Sequence, residues 1–375
     1  MARKRLRSGF TTGTAAAAAA KAALLALVRP TPPRSVHIDF LSTGGVDIPV
    51  HRVERLGRQS ARATVIKDAG DDPDVTHRAE IGARVTLEPA DENQTSPLVV
   101  TIAGGEGVGR VTKPGLEVPP GEPAINAGPR RMIRTAVGQA LGESALPAAV
   151  AVEIFVPEGR DLARKTLNAR LGIVGGLSIL GTTGIVKPLS HAAYTATIRS
   201  ALSVARAGDR KTVALTTGRR SERFLQAHFA DWDEEQFVQI GDYFQFAMRA
   251  AAEMDFRRVV LAVFFGKAVK MAMGVPHTHA ARAELLLGHL ADWTRDLTDD
   301  PATAESVRRA NTAREAFMLL HKDHPQVIAR VGREIVRHAL AFAGGRMAVH
   351  SLIFDYEGRV VFDSGNRRGV RGRKP

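Results

Sequence analysis

The 375-residue sequence predicts two mixed domains: a β-rich α+β domain over residues 1–192, and an α/β domain with a doubly wound parallel sheet over 193–375. Three observations predict this. The length suits two cores rather than one. Residues 35–112 read as short β-rich runs separated by Gly, Asp and Pro, which is strand punctuation. From residue 211 onward the rhythm becomes strand, glycine, helix, repeated, as in units that build a parallel sheet.

The elements follow in order. Thr12 or Thr14 can N-cap a helix through the alanine block to about Val28, where Pro30, Pro32 and Pro33 stop it. The runs SVHIDF, VDIPVHRV, ARATVI, ARVTLEP and LVVTIAG are strands. A helix is expected over 124–141, with Pro129 near its start, and a strand over 149–156. In the second half, strands are expected at 211–216, 237–240 and 258–264, each followed by a glycine-bearing turn and a helix. Helices are expected over 280–293, 302–321 and 326–342, and SLIFDYEGRVVFDS reads as a hairpin turning at Glu357-Gly358. The domain boundary is expected between Leu189 and Thr197. In doubly wound sheets ligands sit at the C-terminal ends of strands, which gathers residues 216–220, 241–243 and 265–270 around one crevice.

Hydrophobic residues at 44% and charged residues at 24% are the mix of a soluble globular protein. No run reaches the ~18–20 apolar residues of a membrane span. The basic start MARKRLR followed by an alanine run has the outline of a signal peptide but lacks its Leu/Phe core, so a cytoplasmic location is the default expectation. The absence of cysteine excludes disulfides, thiolate metal sites and cysteine nucleophiles. The net charge of +13 invites a nucleic-acid reading. However, Arg3, Lys4, Arg5, Arg7, Arg367, Arg368, Arg371, Arg373 and Lys374 lie in the two tails, and aromatics are only 5%. No specific nucleic-acid partner is expected.

Four segments can carry chemistry. Leu171 to Val186, LGIVGGLSILGTTGIV, is glycine-rich and almost uncharged. Its glycines would let backbone N–H groups approach a ligand, with Thr182 and Thr183 adding hydroxyls. A buried turn between packed strands explains it equally well. GGEGVG at 104–109 is a weak dinucleotide match, better read as a hairpin or bulge. KDAGDDPD at 67–74 places four carboxylates beside His77, suited to Ca²⁺ or Mg²⁺, though without EF-hand spacing, to proton transfer by Asp68 or His77, with Asp71 beside them, or to a solvated turn. His277-Thr278-His279 is too little for a metal site, and none is expected. The glycine loops also keep a small-molecule kinase or other nucleotide-binding enzyme open as an alternative.

Six segments in register then carry a resemblance: SGFTTGTAAAAAAK (8–21), VIKDAGDDPDVTH (65–77), GGEGVGRVTKPGL (104–116), AINAGPRRMI (124–133), Leu171 to Val186 and TTGRRSE (216–222). Together they resemble the cobalt-precorrin-5B (C1)-methyltransferases of anaerobic cobalamin synthesis, also called CbiD. Ala15, Arg78 and Ala127-Gly128 depart from the usual family residues at those places. The resemblance implies two α+β domains, the second Rossmann-like. It also implies methyl transfer from S-adenosylmethionine to C1 of the corrin ring of cobalt-precorrin-5B, giving cobalt-precorrin-6A, with cobalt entering only as part of the substrate. A corrin rimmed with carboxylates calls for Arg and Lys. Lys67, Lys113, Arg130, Arg131 and Arg219 are the candidates, with Lys165, Arg170, Lys187 and Arg220 beside the same segments. For the donor the candidates are Gly218, Gly241 and Asp242, the last for the ribose, together with Thr182 and Thr183.

Overall fold

A computed structural model describes residues 6–88, 98–142, 148–279 and 283–365. The expected basic tails lie largely outside them. The chain divides into two compact units, Met1–His191 and Ala192–Pro375, and its fold is mixed α/β with several sheets. Among the described residues no helix is long and apolar enough to cross a membrane.

In the first unit a five-stranded sheet runs in the spatial order Arg52–Arg55, Ser60–Ile66, Glu80–Glu88, Ala148–Phe155, Leu98–Gly104. All neighbours are antiparallel except the last pair, which is parallel. The alanine helix, Thr12–Val28, packs on strands Ser60–Ile66 and Glu80–Glu88 and against helix Ala127–Leu141. Its alanines from Ala15 to Ala20 are fully buried, so the helix is apolar all round because it is surrounded. Small side chains let the neighbouring backbones approach. Thr11, rather than Thr12 or Thr14, is the N-cap, its hydroxyl accepting from the Thr14 N–H at 3.2 Å. Thr12 and Thr14 instead bond the glycine-rich segment described below.

The run VDIPVHRV is two strands, not one. Gly45–Pro49 pairs with Ser35–Asp39 in a separate hairpin, and Arg52–Arg55 joins the main sheet. The break follows Pro49, which has no N–H to continue a ladder. The helix expected from residue 124 starts at Ala127, with Pro129 in its first turn.

In the second unit four parallel strands lie in the order Phe237–Gln239, Thr212–Thr216, Arg258–Phe264, Ala348–Phe354, with Val360–Asp363 antiparallel at the edge. Alternate residues face opposite ways. Val213, Leu215, Val259, Leu261 and Val263 share a core with helices His191–Ala207, Phe244–Glu253, Phe265–Ala272 and Pro325–Phe342. Ala214, Val260 and Ala262 pack with Leu225 of helix Arg219–His228 on the other face.

One helical expectation is corrected. Residues 302–321 form two helices, Pro301–Arg309 and Ala313–Leu320. Thr312 caps the second by accepting from the Glu315 N–H at 3.1 Å, while Glu315 accepts from the Asn311 N–H. The units divide after His191, inside the stretch Leu189 to Thr197, where the His191–Ala207 helix starts.

Candidate functional site

The glycine-rich segment 171–186 ties the first unit together through backbone. Ile185–Val186 pairs with Gly9–Phe10, and Ile173–Val174 with Arg110–Val111. The Leu177 N–H donates to Gly107 O, and the Gly109 N–H to Leu177 O, both at 2.8 Å. Ile179 and Asn126 close the same exchange with the strand-like stretch before helix Ala127–Leu141. The Thr12 hydroxyl meets both the N–H and the carbonyl of Leu180, and the Thr14 hydroxyl donates to Gly184 O at 2.8 Å. Gly107 shows why glycine is needed here. Its φ is +68°, and a Cβ would sit 1.9 Å from Val156 O. Thr182 and Thr183 are exposed, the Thr183 hydroxyl being turned to its own strand at Ile185.

Beside this network opens a cavity of about 800 Å³, all within the first unit. Its lining mixes the apolar Phe10, Phe40, Val46, Val50, Ile66 and Ile185 with the polar Arg7, Asp47, His51, Lys67, Asp68, His77, Arg78 and Lys187. The acidic loop 67–78 contributes Lys67, Asp68, His77 and Arg78 to it, and hydrogen bonds to itself and to the N-terminal segment. Lys67 is 1% exposed, and its ammonium bonds Asp74 at 2.7 Å. Asp74 also accepts from the N–H and hydroxyl of Thr76. Burial pushes the Asp74 carboxyl up, but Lys67 and Thr76 outweigh it and hold it below the ordinary value. The Arg7 guanidinium pairs with both oxygens of Asp68, and the Gly70 N–H adds a third bond at 2.8 Å. The Arg7 hydrogen bond leads these effects and takes Asp68 down to about 2. Asp71 accepts from the Arg7 N–H at 2.7 Å and returns its own N–H to Arg7 O. His77 Nδ1 accepts from the Ala69 N–H at 3.1 Å, so a neutral ring carries its proton on Nε2.

In the second unit the ends of three parallel strands converge on Lys267. Its ammonium bonds Asp242 Oδ1 at 3.1 Å, Gly241 O at 3.2 Å and Thr217 O at 3.4 Å. Thr278 donates its hydroxyl to the same carboxylate at 2.6 Å and its N–H to Asp242 O. Burial raises the Asp242 carboxyl, and the bonds from Thr278 and Lys267 more than reverse that, leaving it below its ordinary value. Tyr194 stacks on Tyr243 with centroids 4.9 Å apart, and the His277 ring meets Tyr243 edge-on. Gly241 has φ +55°, and the Tyr194 hydroxyl fills the space a Cβ would take. Burial, then the Asp242 charge, raise the Tyr194 phenol above its ordinary value.

The sequence model of the family described as CbiD matches residues 1–188, and the one described as CbiD, C-terminal domain, matches 277–365. The chain is 45% identical over 368 residues to the cobalt-precorrin-5B C(1)-methyltransferase of Nitratidesulfovibrio vulgaris, which spans 95% of this chain and 92% of that protein. It is 47% identical over 365 residues to the protein of the same name from Citrifermentans bemidjiense, spanning 96% and 99%. The chain belongs to the CbiD family. A solved cobalamin biosynthesis protein (cbiD) from Archaeoglobus fulgidus is 27% identical, with a TM-score of 0.37, covering 70% of this chain and 78% of that one.

Within this CbiD chain the expected site residues fall into distinct places. Asp68 and His77 line the cavity and Asp71, of the same loop, does not, while Asp68 and Asp71 are both committed to Arg7. Lys67 belongs to the same loop, but its ammonium points into the protein at Asp74 and is not offered to a carboxylate outside. Lys113 lays its stem over Gly172. Arg130 is half-buried and bonds Ile125 O and Glu122, whereas Arg131 beside it is exposed. Gly241 and Asp242 meet at Lys267, Gly218 stands with open space beside its Cα, and Arg219 begins the next helix. Thr182 and Thr183 belong to the other unit. The rings of His277 and His279 lie 6.4 Å apart. Sequence reasoning missed Lys267 and Thr278 as partners of Asp242, although the Gly266-Lys267 pair after a strand was a signal. It named Lys187 but did not single out the guanidinium of Arg78, which lines the same cavity.

Proposed function

We propose that this chain transfers a methyl group from S-adenosylmethionine to C1 of the corrin of cobalt-precorrin-5B, giving cobalt-precorrin-6A. The observation that carries the reading is the cavity of the first unit: about 800 Å³, lined by apolar side chains together with Arg78 and Lys187, in a chain of this family. A corrin is an apolar ring edged with carboxylates. The apolar side chains take ring surface, and Lys187, with Arg131 outside the cavity, offers point-charge and forked partners. The second unit reads as Rossmann-like, and its strand ends as the donor site. Asp242 Oδ2 suits a ribose hydroxyl, Lys267 holds that carboxylate in place, and Gly218 leaves backbone in reach.

The donor supplies an electrophilic methyl carbon. The carbon–sulfur bond breaks with its electron pair remaining on sulfur, and the bond to C1 forms in line. The protein's part is alignment and exclusion of water. For proton transfer at the corrin, His77 is the fitting group of the loop, because its Nε2 is the position not fixed by backbone. Asp68, at about 2, is a weak base near neutrality and serves with Asp71 to hold Arg7.

The test is incubation with cobalt-precorrin-5B and S-adenosylmethionine, read by mass for one added methyl. No methylated product from folded protein would remove the reading. Calorimetry is expected to show S-adenosylmethionine binding, weakened by about tenfold in Asp242→Ala, and no binding of ATP. Wild-type donor affinity in that variant would remove Asp242, and full turnover in His77→Ala would remove the proton role.

A further inference from the structure

We propose that Arg78 is a carboxylate-binding residue of the first-unit cavity and helps decide which acidic corrinoid the protein accepts. This rests on the reading of that cavity as the corrinoid site.

The backbone at Arg78 has φ +69°, a left-handed conformation that glycine adopts freely and a Cβ disfavours. The turn needs that conformation. The Arg78 N–H donates to Lys67 O and the Lys67 N–H to Ala79 O, both at 2.9 Å, which closes the acidic loop onto the strand that follows. Glycine would therefore serve the fold at least as well, and the side chain is what arginine adds.

That side chain gives the fold nothing visible in return. It is exposed, and among the described residues its guanidinium has no hydrogen bond or ion pair. Four aspartates lie within ten residues of it, yet each is engaged elsewhere. Asp68 is held by Arg7, Asp71 by the Arg7 N–H, Asp72 by the Leu189 N–H at 2.9 Å, and Asp74 by Lys67 and Thr76. Asp68 and Asp74 are paired with cations, Asp71 and Asp72 are held by backbone N–H groups, and among the described residues none of the four bonds the Arg78 guanidinium. Arg78 shares the cavity lining with Lys187 and His51, whose side chains likewise have no partner among the described residues. Two uncommitted cations and an imidazole lining one cavity with apolar side chains fit a ligand with an apolar body and several peripheral carboxylates. A planar guanidinium grips a carboxylate in a two-pronged bond that an ammonium cannot form.

The experiment compares wild type, Arg78→Gly, Arg78→Lys and Lys187→Ala in full-length protein, using cobalt-precorrin-5B as probe. For Arg78→Gly we expect a melting temperature equal to or above that of wild type, a KM about tenfold higher or more, and a much smaller change in kcat. Arg78→Lys should fall between the two. An unchanged KM in Arg78→Gly, or a loss of activity that follows a loss of melting temperature, would overturn the proposal. The wild-type reaction separates the two levels of argument. If wild type methylates the corrinoid and Arg78→Gly matches it, Arg78 alone is dismissed. If both Arg78→Gly and Lys187→Ala match wild type, the corrin lies outside this cavity. If folded wild type makes no product, the functional reading itself fails.

Discussion

In the first unit, segment 171–186 is held by backbone bonds to four other loops, and its glycines make room for Gly107 O at Gly176 and for the side chains of Lys113, Thr11 and Phe40 at Gly172, Gly181 and Gly184. In the second unit, loops gather because parallel strands end side by side, and side chains (Lys267, Asp242, Thr278) make the ties. The two arrangements respond differently to substitution. A backbone network tolerates no added atom, whereas a side-chain network over a regular sheet keeps its scaffold when one tie is lost. The ion pairs differ in the same sense. The Lys67 ammonium is sealed in and the Lys267 ammonium is half-exposed, while their aspartates are similarly accessible.

The largest effect is expected from breaking the Lys67–Asp74 pair. Asp74→Ala strands a buried ammonium, which costs about 3–5 kcal/mol and should lower the melting temperature of the first unit by roughly 10 °C. Lys267→Met in the second unit leaves a carboxylate that Thr278 and water still solvate, and about 1 kcal/mol is expected. Calorimetric melts of both variants make the comparison. Equal losses would show that Lys67 is no more committed to the fold than Lys267.

Next in size is a single methyl group. Gly107→Ala forces a left-handed backbone and an overlap with Val156 O, for about 2–4 kcal/mol. Gly218→Ala meets nothing within 4 Å, and its φ of 163° is extended backbone, so stability should stay within about 0.5 kcal/mol. Urea midpoints decide between them. A destabilised Gly218→Ala would place unseen crowding at the strand end.

The same contrast explains what the sequence made legible. The strands of the second unit were readable because β-branched runs ended by glycine carry their own period. The alanine block was readable because an all-round apolar helix has to be enclosed. The role of 171–186 was not readable. Its partners Thr12 and Thr14 lie 168 and 170 residues before the Leu180 and Gly184 that they bond, and bonds between distant loops leave no periodic trace. The helix at 191–207 was hidden by its threonines, whose hydroxyls return to Ala192 O and Ala193 O inside the helix. Of the site, the acidic loop and Asp242 were visible as residue types. Which charges were spent internally was not, because Lys67 and Arg78 look alike in one dimension and differ only in what they meet.

The smallest effect tests that distinction by pH. The Arg7–Asp68 pair is partly exposed on both sides and screened, so its loss in Arg7→Met should shift the melting temperature by no more than about 2 °C. Its pH dependence is the informative part. The Asp68 carboxyl is depressed from 3.8 to about 2, first by the hydrogen bond from Arg7. A carboxyl depressed on folding contributes stability that is fully present above its unfolded value and is lost as the pH falls through its folded value. The difference between wild type and Arg7→Met should therefore be constant from neutrality to about pH 4 and vanish near about pH 2. A difference that persists unchanged at low pH would mean that Arg7 holds the loop by packing and by its backbone bonds to Asp71. Asp68 would then be released for proton chemistry, and the division of labour between it and His77 would have to be redrawn.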